Sequence, residues 1–151
     1  MEKKIWGNAI WYFIHTLSFK LKSEYSNKSN ELMGIFYNIC INTPCEFCSQ
    51  DSKRILGNLN MHNINNKEDL IKVMFEFHNK VNKKTNKNEF TIDEFNNKYS
   101  SANTINIIKN FLNIMRQDIR NDKAMMNNFN RKLMIENVNR YLKNNIICFN
   151  N

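Results

Sequence analysis

The stretch that decides the fold is Thr43-Pro44-Cys45-Glu46-Phe47-Cys48, in which two cysteines are separated by two residues. Proline disfavours helix in the residue before it and is well accepted in the first turn of a helix. The stretch therefore predicts that one helix ends before Thr43 and that another begins at the cysteine pair. Sulfurs one helical turn apart can form a disulfide, and the amides of a first turn lower the pKa of a thiol there.

Apolar residues recur at three- and four-residue steps on both sides of this stretch, which indicates helices. The pattern predicts helices over residues 4–22 and 31–41, a third from the cysteine pair to residue 59, and a fourth capped by Asn65 or Asn66. Thr91 and Glu94 have the spacing of a capping box, so a short fifth helix should follow and end near Tyr99.

The segment after residue 101 predicts two further helices, broken near Asn121. The apolar positions of the second are Phe129, Leu133, Val138 and Leu142. Residues 144–151 are expected to fray, with Cys148 on them. We divide the chain into a core domain, residues 1–100, and a C-terminal helical extension, residues 101–151, that packs on the core or forms an interface.

Composition also favours an all-α protein, because three glycines and one proline in 151 residues are too few for a sheet with tight hairpins. The net charge of +8 comes from scattered lysines. A solvated surface is the simpler interpretation, and we expect no specific nucleic-acid binding. No apolar run is long enough for a signal peptide or a membrane span, so we expect no membrane association.

The cysteine pair alone leaves several kinds of site open. A thioredoxin-like fold needs strands that alternate with helices, and no strand pattern flanks the pair. A zinc site built from Cys40, Cys45, Cys48 and His62 would make the chain a zinc-stabilised basic helical adaptor without redox activity. Cys40 falls inside a predicted helix, which argues against this alternative and favours a buried core thiol.

Three separated motifs together resemble the Erv/ALR family of flavin-linked sulfhydryl oxidases. Residues 6–15, WGNAIWYFIH, are similar to the family's W-G-x-x-x-W-x-x-x-H. Residues 44–48, PCEFC, are similar to P-C-x-x-C, and residues 78–82, HNKVN, to H-N-x-V-N followed by a lysine and an aromatic residue. The motifs occur in the family's order, and the resemblance covers roughly residues 3–99.

The resemblance implies a four-helix bundle that holds FAD, closed by a short fifth helix. It implies that Cys45 exchanges with the substrate, that Cys48 lies beside the flavin, and that electrons pass to dioxygen to give hydrogen peroxide. The residues expected to bind FAD are Trp6, Gly7, Trp11, His15, His78, Asn79, Val81, Asn82, Lys87, Phe90, Lys98 and Tyr99.

The resemblance further implies that the partners are thiol-containing proteins or a small thioredoxin-like relay with its own C-x-x-C pair, and that the chain is a homodimer. The sequence departs from cellular members, since Phe75 and Ile92 stand where those often carry a second disulfide, and Cys148 is a single cysteine. The Lys/Asn-rich composition, the core without that disulfide and the C-terminal extension look more like the versions from large cytoplasmic DNA viruses. We therefore expect the host cytoplasm at virus assembly sites, or the virion; a cellular member would lie in the mitochondrial intermembrane space.

Overall fold

The computed structural model describes residues 1–151 as seven α-helices joined by short loops and 3-10 turns, with no strand. The helices are α1 (Lys3–Lys20), α2 (Ser29–Cys40), α3 (Glu46–Asn58), α4 (Lys67–Lys84), α5 (Ile92–Tyr99), α6 (Thr104–Met115) and α7 (Met125–Asn145). The all-α prediction is confirmed. No helix combines the length and hydropathy that spanning a lipid bilayer requires.

Side-chain caps fix the helix starts near the predicted positions. Cys45 caps α3, and Asn66 caps α4 by accepting a hydrogen bond from the backbone amide of Asp69. Thr91 and Glu94 form the predicted capping box at the start of α5. Each cap satisfies a backbone N–H group that has no partner within the helix.

Helix α1 lies at the centre of the molecule, packed on α2, α4 and α5 and covered on another side by α6. It is therefore buried on most of its circumference, and Phe13, Ile14 and Leu17 have no exposed surface. The ring of Phe13 stacks on that of Phe111 in α6, with ring centroids 4.1 Å apart. One hydrophobic core thus includes residues from both proposed parts of the chain, and the boundary at residue 100 stays a prediction.

The C-terminal residues are packed, so the prediction of a frayed end is wrong. The backbone N–H of Lys22 donates to the carbonyl of Cys148 (2.8 Å), and that of Asn150 donates to the carbonyl of Lys20 (2.7 Å). Leu21 and Phe149 form an antiparallel bridge, and both side chains are buried. Burial of Phe149 and Cys148 against the end of α1 provides the stabilisation that the local sequence does not indicate.

Helix α7 presents a different face to the core from the one that its apolar residues predict. Phe129 and Leu133 are 55% and 49% exposed, whereas Arg131 is 2% exposed. Val138 and Leu142 are buried as predicted. Arg131 can face inwards because its N–H groups find four oxygen acceptors on the protein, which removes most of the cost of burying a cation.

Aromatic packing occupies the place where the resemblance expects a second disulfide in cellular members. The ring of Phe75 packs edge-on against that of Phe95, with centroids 5.1 Å apart, and Ile92 is half exposed. Phe95 also contacts His15, Phe90 and Tyr99. Helix α5 is therefore anchored by a cluster of rings rather than by a covalent bond.

Candidate active site

Cys45 and Cys48 are joined in a disulfide at the N-terminus of α3, with their Cα atoms 5.2 Å apart. The backbone N–H of Cys48 donates to the sulfur of Cys45 at 3.1 Å. In the reduced pair the same amide, together with the helix dipole, would stabilise a thiolate on Cys45. The arrangement therefore suits reversible change between disulfide and dithiol.

The loop before the pair is held by a small hydroxyl network. The backbone N–H of Thr43 donates to Ser49 Oγ (2.9 Å), and the Thr43 hydroxyl donates to the carbonyl of Cys45 (2.8 Å). Thr43 and Ser49 are both buried. These contacts tie the loop to the first turn of α3 and fix the position of Cys45.

A cavity of about 220 Å³ adjoins the second cysteine of the pair. Its largely apolar lining includes Trp6, Trp11 and Val81, together with Cys48 and Cys40. Cys40 is 2% exposed, and burial raises the pKa of its thiol to about 12. Cys40 is therefore a neutral core thiol, as predicted, while Cys48 is the disulfide sulfur that faces this cavity.

A second cavity, of about 630 Å³, lies next to the first and shares five lining residues with it: Lys3, Gly7, Trp11, Val81 and Thr85. A Cβ atom placed on Gly7 would meet nothing within 4 Å, so the shared wall is open there. The two cavities form one long groove, which we call the flank groove. It is largely apolar beside Cys48, and its far end is lined by polar, aromatic and cationic residues: Lys4, His78, Asn82, Lys87, Phe90, Lys98 and Tyr99.

His15 and His78 form a buried pair beside this groove. His78 lines the groove, whereas His15 has no exposed surface and does not line it, so direct contact of His15 with a cofactor stays a prediction. His15 Nε2 and His78 Nδ1 are 2.9 Å apart, and the indole of Trp11 stacks on the His78 ring with centroids 3.8 Å apart. Burial, with the positive charges of Lys98 and Lys87, lowers the pKa of His78 to about 3. Burial and the neighbouring His78 and Lys98 hold the pKa of His15 well below its ordinary value. The pair is therefore neutral and shares one proton across its hydrogen bond.

Lys87 and Lys98 are two of the lysines that line the far end of the flank groove. Lys87 follows a tight turn in which Asn86 has φ 57°, and its backbone N–H donates to the carbonyl of Asn82 (2.8 Å). Asparagine tolerates this left-handed conformation at a helix end. The ammonium of Lys98 lies 5.3–5.6 Å from the ring centroids of Tyr12, Phe90 and Tyr99. Both cations are positioned to meet an anionic group in the groove.

Two residues predicted to bind FAD, Asn79 and Tyr99, make contacts within the protein. The side-chain amide of Asn79 bonds to the backbone of Phe90, accepting from its N–H (2.8 Å) and donating to its carbonyl (3.0 Å). Asn79 does not line the groove. Tyr99 does, but it is only 1% exposed and packs on His15 and Tyr12. Direct contact of either residue with a cofactor stays a prediction.

Sequence reasoning missed several residues around the groove. Lys3 and Lys4 precede the first motif, and nothing in their local pattern distinguishes them from other surface lysines. Asp51 pairs with Lys84 and Arg54 beside the apolar end. Burial opposes the charge of Asp51, but the hydrogen bonds from the two cations outweigh it and hold the pKa below its usual value. The i, i+3 spacing of Asp51 and Arg54 was the available signal.

The structure contains no cluster of ligands for the alternative zinc site. No three side chains among the histidines, cysteines and acids are arranged to hold a metal ion. Cys40 is buried in the core, and His62 lies exposed in the loop after α3. The residues proposed for the zinc site therefore do not converge.

The protein is an all-helical bundle with a disulfide at a helix N-terminus. Beside this disulfide lies a groove that is apolar at one end and cationic at the other. These features define a class of small helical proteins with a redox-capable cysteine pair. Comparison of sequences gives the family within this class. The Erv1 / Alr family model matches residues 8–100, and the chain belongs to that family.

Two curated relatives show the range of similar proteins. The mitochondrial FAD-linked sulfhydryl oxidase ERV1 of Saccharomyces cerevisiae is 29% identical over 85 residues, which are 56% of this chain and 44% of the yeast protein. Protein 096R of Invertebrate iridescent virus 3, named as a candidate FAD-linked sulfhydryl oxidase, is 27% identical over 89 residues, 58% of this chain and 60% of the viral one. The matches thus span about half the length of these relatives. No solved structure gives a significant match.

Proposed function

We propose that the chain is an FAD-dependent thiol oxidase that makes disulfides in protein substrates and passes the electrons to dioxygen, giving hydrogen peroxide. The observation that carries this proposal is the contact between Cys48 of the disulfide and the apolar end of the flank groove. Family membership and the names of both relatives support the same activity.

The polarity of the flank groove fits FAD, which has a flat apolar ring system at one end and a pyrophosphate in the middle. Trp6, Trp11 and Val81 would hold the ring system near Cys48. Lys87 and Lys98 would meet the phosphates. The side chain of Asn82 has no hydrogen-bond partner on the protein and lines the groove, so its amide is free for the nucleotide. Bound FAD would accept two electrons from the dithiol and transfer them to dioxygen.

The two cysteines would have different tasks. A substrate thiolate attacks the sulfur of Cys45, the Cys45–Cys48 bond breaks, and Cys48 leaves as a thiolate facing the groove. The second thiol of the substrate, as its thiolate, then attacks the mixed disulfide, so the substrate becomes a disulfide and Cys45 becomes a thiolate. The N–H of Cys48 already points at the sulfur of Cys45 and stabilises that charge.

We propose that residues 1–100 form the FAD-binding thiol oxidase unit and that residues 101–151 are an extension packed on it. The partners are thiol-containing proteins or a small C-x-x-C relay protein, and the active form is a homodimer. One relative is named as mitochondrial and the other comes from a virus. The viral one supports a place in the host cytoplasm or the virion for this chain.

The purified protein tests the proposal through its colour and its oxygen consumption. We expect flavin absorbance in the visible range, and oxygen uptake when dithiothreitol is added. Cys45→Ser and Cys48→Ser should each abolish uptake, whereas Cys148→Ser, the matched change at a buried cysteine outside the groove, should retain it. A colourless protein that takes up no FAD, or full activity in Cys48→Ser, would overturn the proposal.

A further inference from the structure

The C-terminal extension reaches the loop that carries the redox pair. The side-chain amide of Asn127, in the first turn of α7, donates from Nδ2 to the backbone carbonyl of Thr43 at 2.9 Å. Thr43 is 4% exposed, so its carbonyl depends on protein partners. This contact joins residues 84 positions apart, and Asn127 lies outside the segment that the family model matches.

The buried guanidinium of Arg131 fixes the orientation of the side-chain amide of Asn127. Arg131 Nε donates to Asn127 Oδ1 at 2.9 Å. Arginine can only donate, so the oxygen of the amide must face Arg131 and its NH₂ group must face Thr43. Arg131 Nη1 donates to the carbonyls of Met115 and Gln117, and Arg131 Nη2 donates to Asn128 Oδ1. Arg131 is therefore rigidly held, and it holds Asn127 in turn.

The same loop residue, Thr43, is hydrogen-bonded to the backbone of Cys45. The Thr43 hydroxyl bonds to the carbonyl of Cys45 (2.8 Å) and lies 2.7 Å from Ser49 Oγ, while Ser49 Oγ lies 3.1 Å from the same Cys45 carbonyl. A continuous run of hydrogen bonds thus leads from Arg131 through Asn127 and Thr43 to Cys45. Residues of the extension and of the redox loop are parts of one rigid network.

We propose that Asn127 is a positioning residue for the Cys45–Cys48 pair, so that the C-terminal extension sets the redox equilibrium of a site built by the rest of the chain. The inference rests on the proposed function, because it concerns the same reversible disulfide. Asn127 acts on Cys45 only through Thr43 and contacts no reacting atom.

The direction of the effect follows from the N-terminal position of Cys45 on α3. When the pair is reduced, the amide of Cys48 and the first turn stabilise a thiolate on Cys45, provided that its sulfur stays at the helix end. Release of the Thr43 carbonyl loosens the loop and weakens this stabilisation. Since only the reduced state carries the thiolate, loss of the contact makes the disulfide harder to reduce.

Three variants separate this role from a general loss of stability. Asn127→Ala removes the donor to Thr43. Asn127→Asp also removes that donor but keeps an oxygen as acceptor, so the hydrogen bond from Arg131 is retained. Asn130→Ala is the matched control, because the side chain of Asn130 is exposed on α7 and makes no hydrogen bond.

The measurement is the equilibrium of the pair with dithiothreitol under anaerobic conditions, without added FAD. Two thiols of dithiothreitol become its cyclic disulfide, and the Cys45–Cys48 disulfide takes up the two electrons and two protons. Samples are quenched by alkylation, and the reduced fraction is read by mass spectrometry. We expect the equilibrium constant for reduction to fall roughly three- to tenfold in both Asn127 variants, the range that one net hydrogen bond represents. Tenfold corresponds to about 30 mV.

The outcomes distinguish this inference from the proposed function. If the wild-type pair reaches a reversible equilibrium and Asn127→Ala does not differ from it, the inference is overturned and the proposed function stands. A shift in Asn127→Asp alone would mean that the added charge is the cause, and an equal shift in Asn130→Ala would mean that the effect is not specific; either overturns the inference. A wild-type pair that no dithiol reduces would overturn the proposed function.

Discussion

Acidification should destabilise the fold through the buried pair of His15 and His78. The folded chain keeps both rings neutral, since burial and nearby positive charge lower the pKa of His78 to about 3 and hold that of His15 well below its ordinary value. Their shared hydrogen bond joins His15 Nε2 to His78 Nδ1, and it has room for one proton only. His15 Nδ1 is buried and has no partner, so a second proton placed on it would find no acceptor.

The size of the effect follows from proton linkage. Below about pH 6.5 the unfolded chain binds a proton on each histidine while the folded chain does not, so stability falls as the pH falls. Each group contributes about 1.4 kcal/mol per pH unit. At pH 5 that is about 2 kcal/mol for His78, and the low pKa of His15 adds to the loss in the same direction. The loss continues towards the folded pKa of His78, about 3.

Urea unfolding followed by circular dichroism between pH 7.5 and pH 5 measures this loss. Bound FAD is first removed from the samples, because a ligand that binds only the folded chain adds its own stabilisation. His78→Gln should show a smaller loss than the wild type, and the control His62→Gln, a change at an exposed site, should show all of it. A wild-type free energy of unfolding that stays constant over this range, or an equal loss in His78→Gln, would refute the reasoning.

Three further outcomes follow from the packing. Phe111→Ala should lower the free energy of unfolding by about 3–5 kcal/mol because it empties the space against α1, whereas Phe129→Ala, 55% exposed, should change it by less than about 0.5 kcal/mol; urea unfolding of both checks this. Asn79→Ala should weaken FAD binding by roughly tenfold, since the backbone of Phe90 loses two hydrogen bonds; fluorescence titration with FAD would contradict this if the affinity were unchanged. Cys148, 1% exposed, should resist alkylation in the folded protein, and rapid labelling seen by mass spectrometry would contradict its packing.

Local signals in the sequence were sufficient for most of the fold. The caps at Asn66 and Thr91 lie at their predicted positions because capping involves residues only three apart. Pro44 correctly marks the break before α3 for the same reason. The cysteine pair is likewise a local feature, and the sequence places it at a helix start. Cys40 lies on the apolar face of α2, and it is buried because a free thiol behaves as a small hydrophobic group.

Features that depend on distant contacts could not be predicted in this way. Arg131 faces the core only because carbonyls from the end of α6 and the loop after it surround it. The hydrogen bond of Asn127 to Thr43 has no signature in either local sequence. The apolar residues Phe129 and Leu133 suggested the wrong face of α7. Hydrophobic periodicity does not reveal that an arginine can be buried when distant groups accept four hydrogen bonds from it.

The stacking of Phe111 on Phe13 also has a consequence during synthesis, because Phe13 is made long before the ring that covers it. Chains emerge from the ribosome N-terminal end first, at about 5–20 residues per second, so roughly 5–20 s separate the two rings. Through that interval the growing polypeptide carries an uncovered aromatic surface on its central helix, open to chaperones or to other nascent chains. Slower translation of the segment between them would lengthen this exposure, and a higher yield of aggregated product should follow.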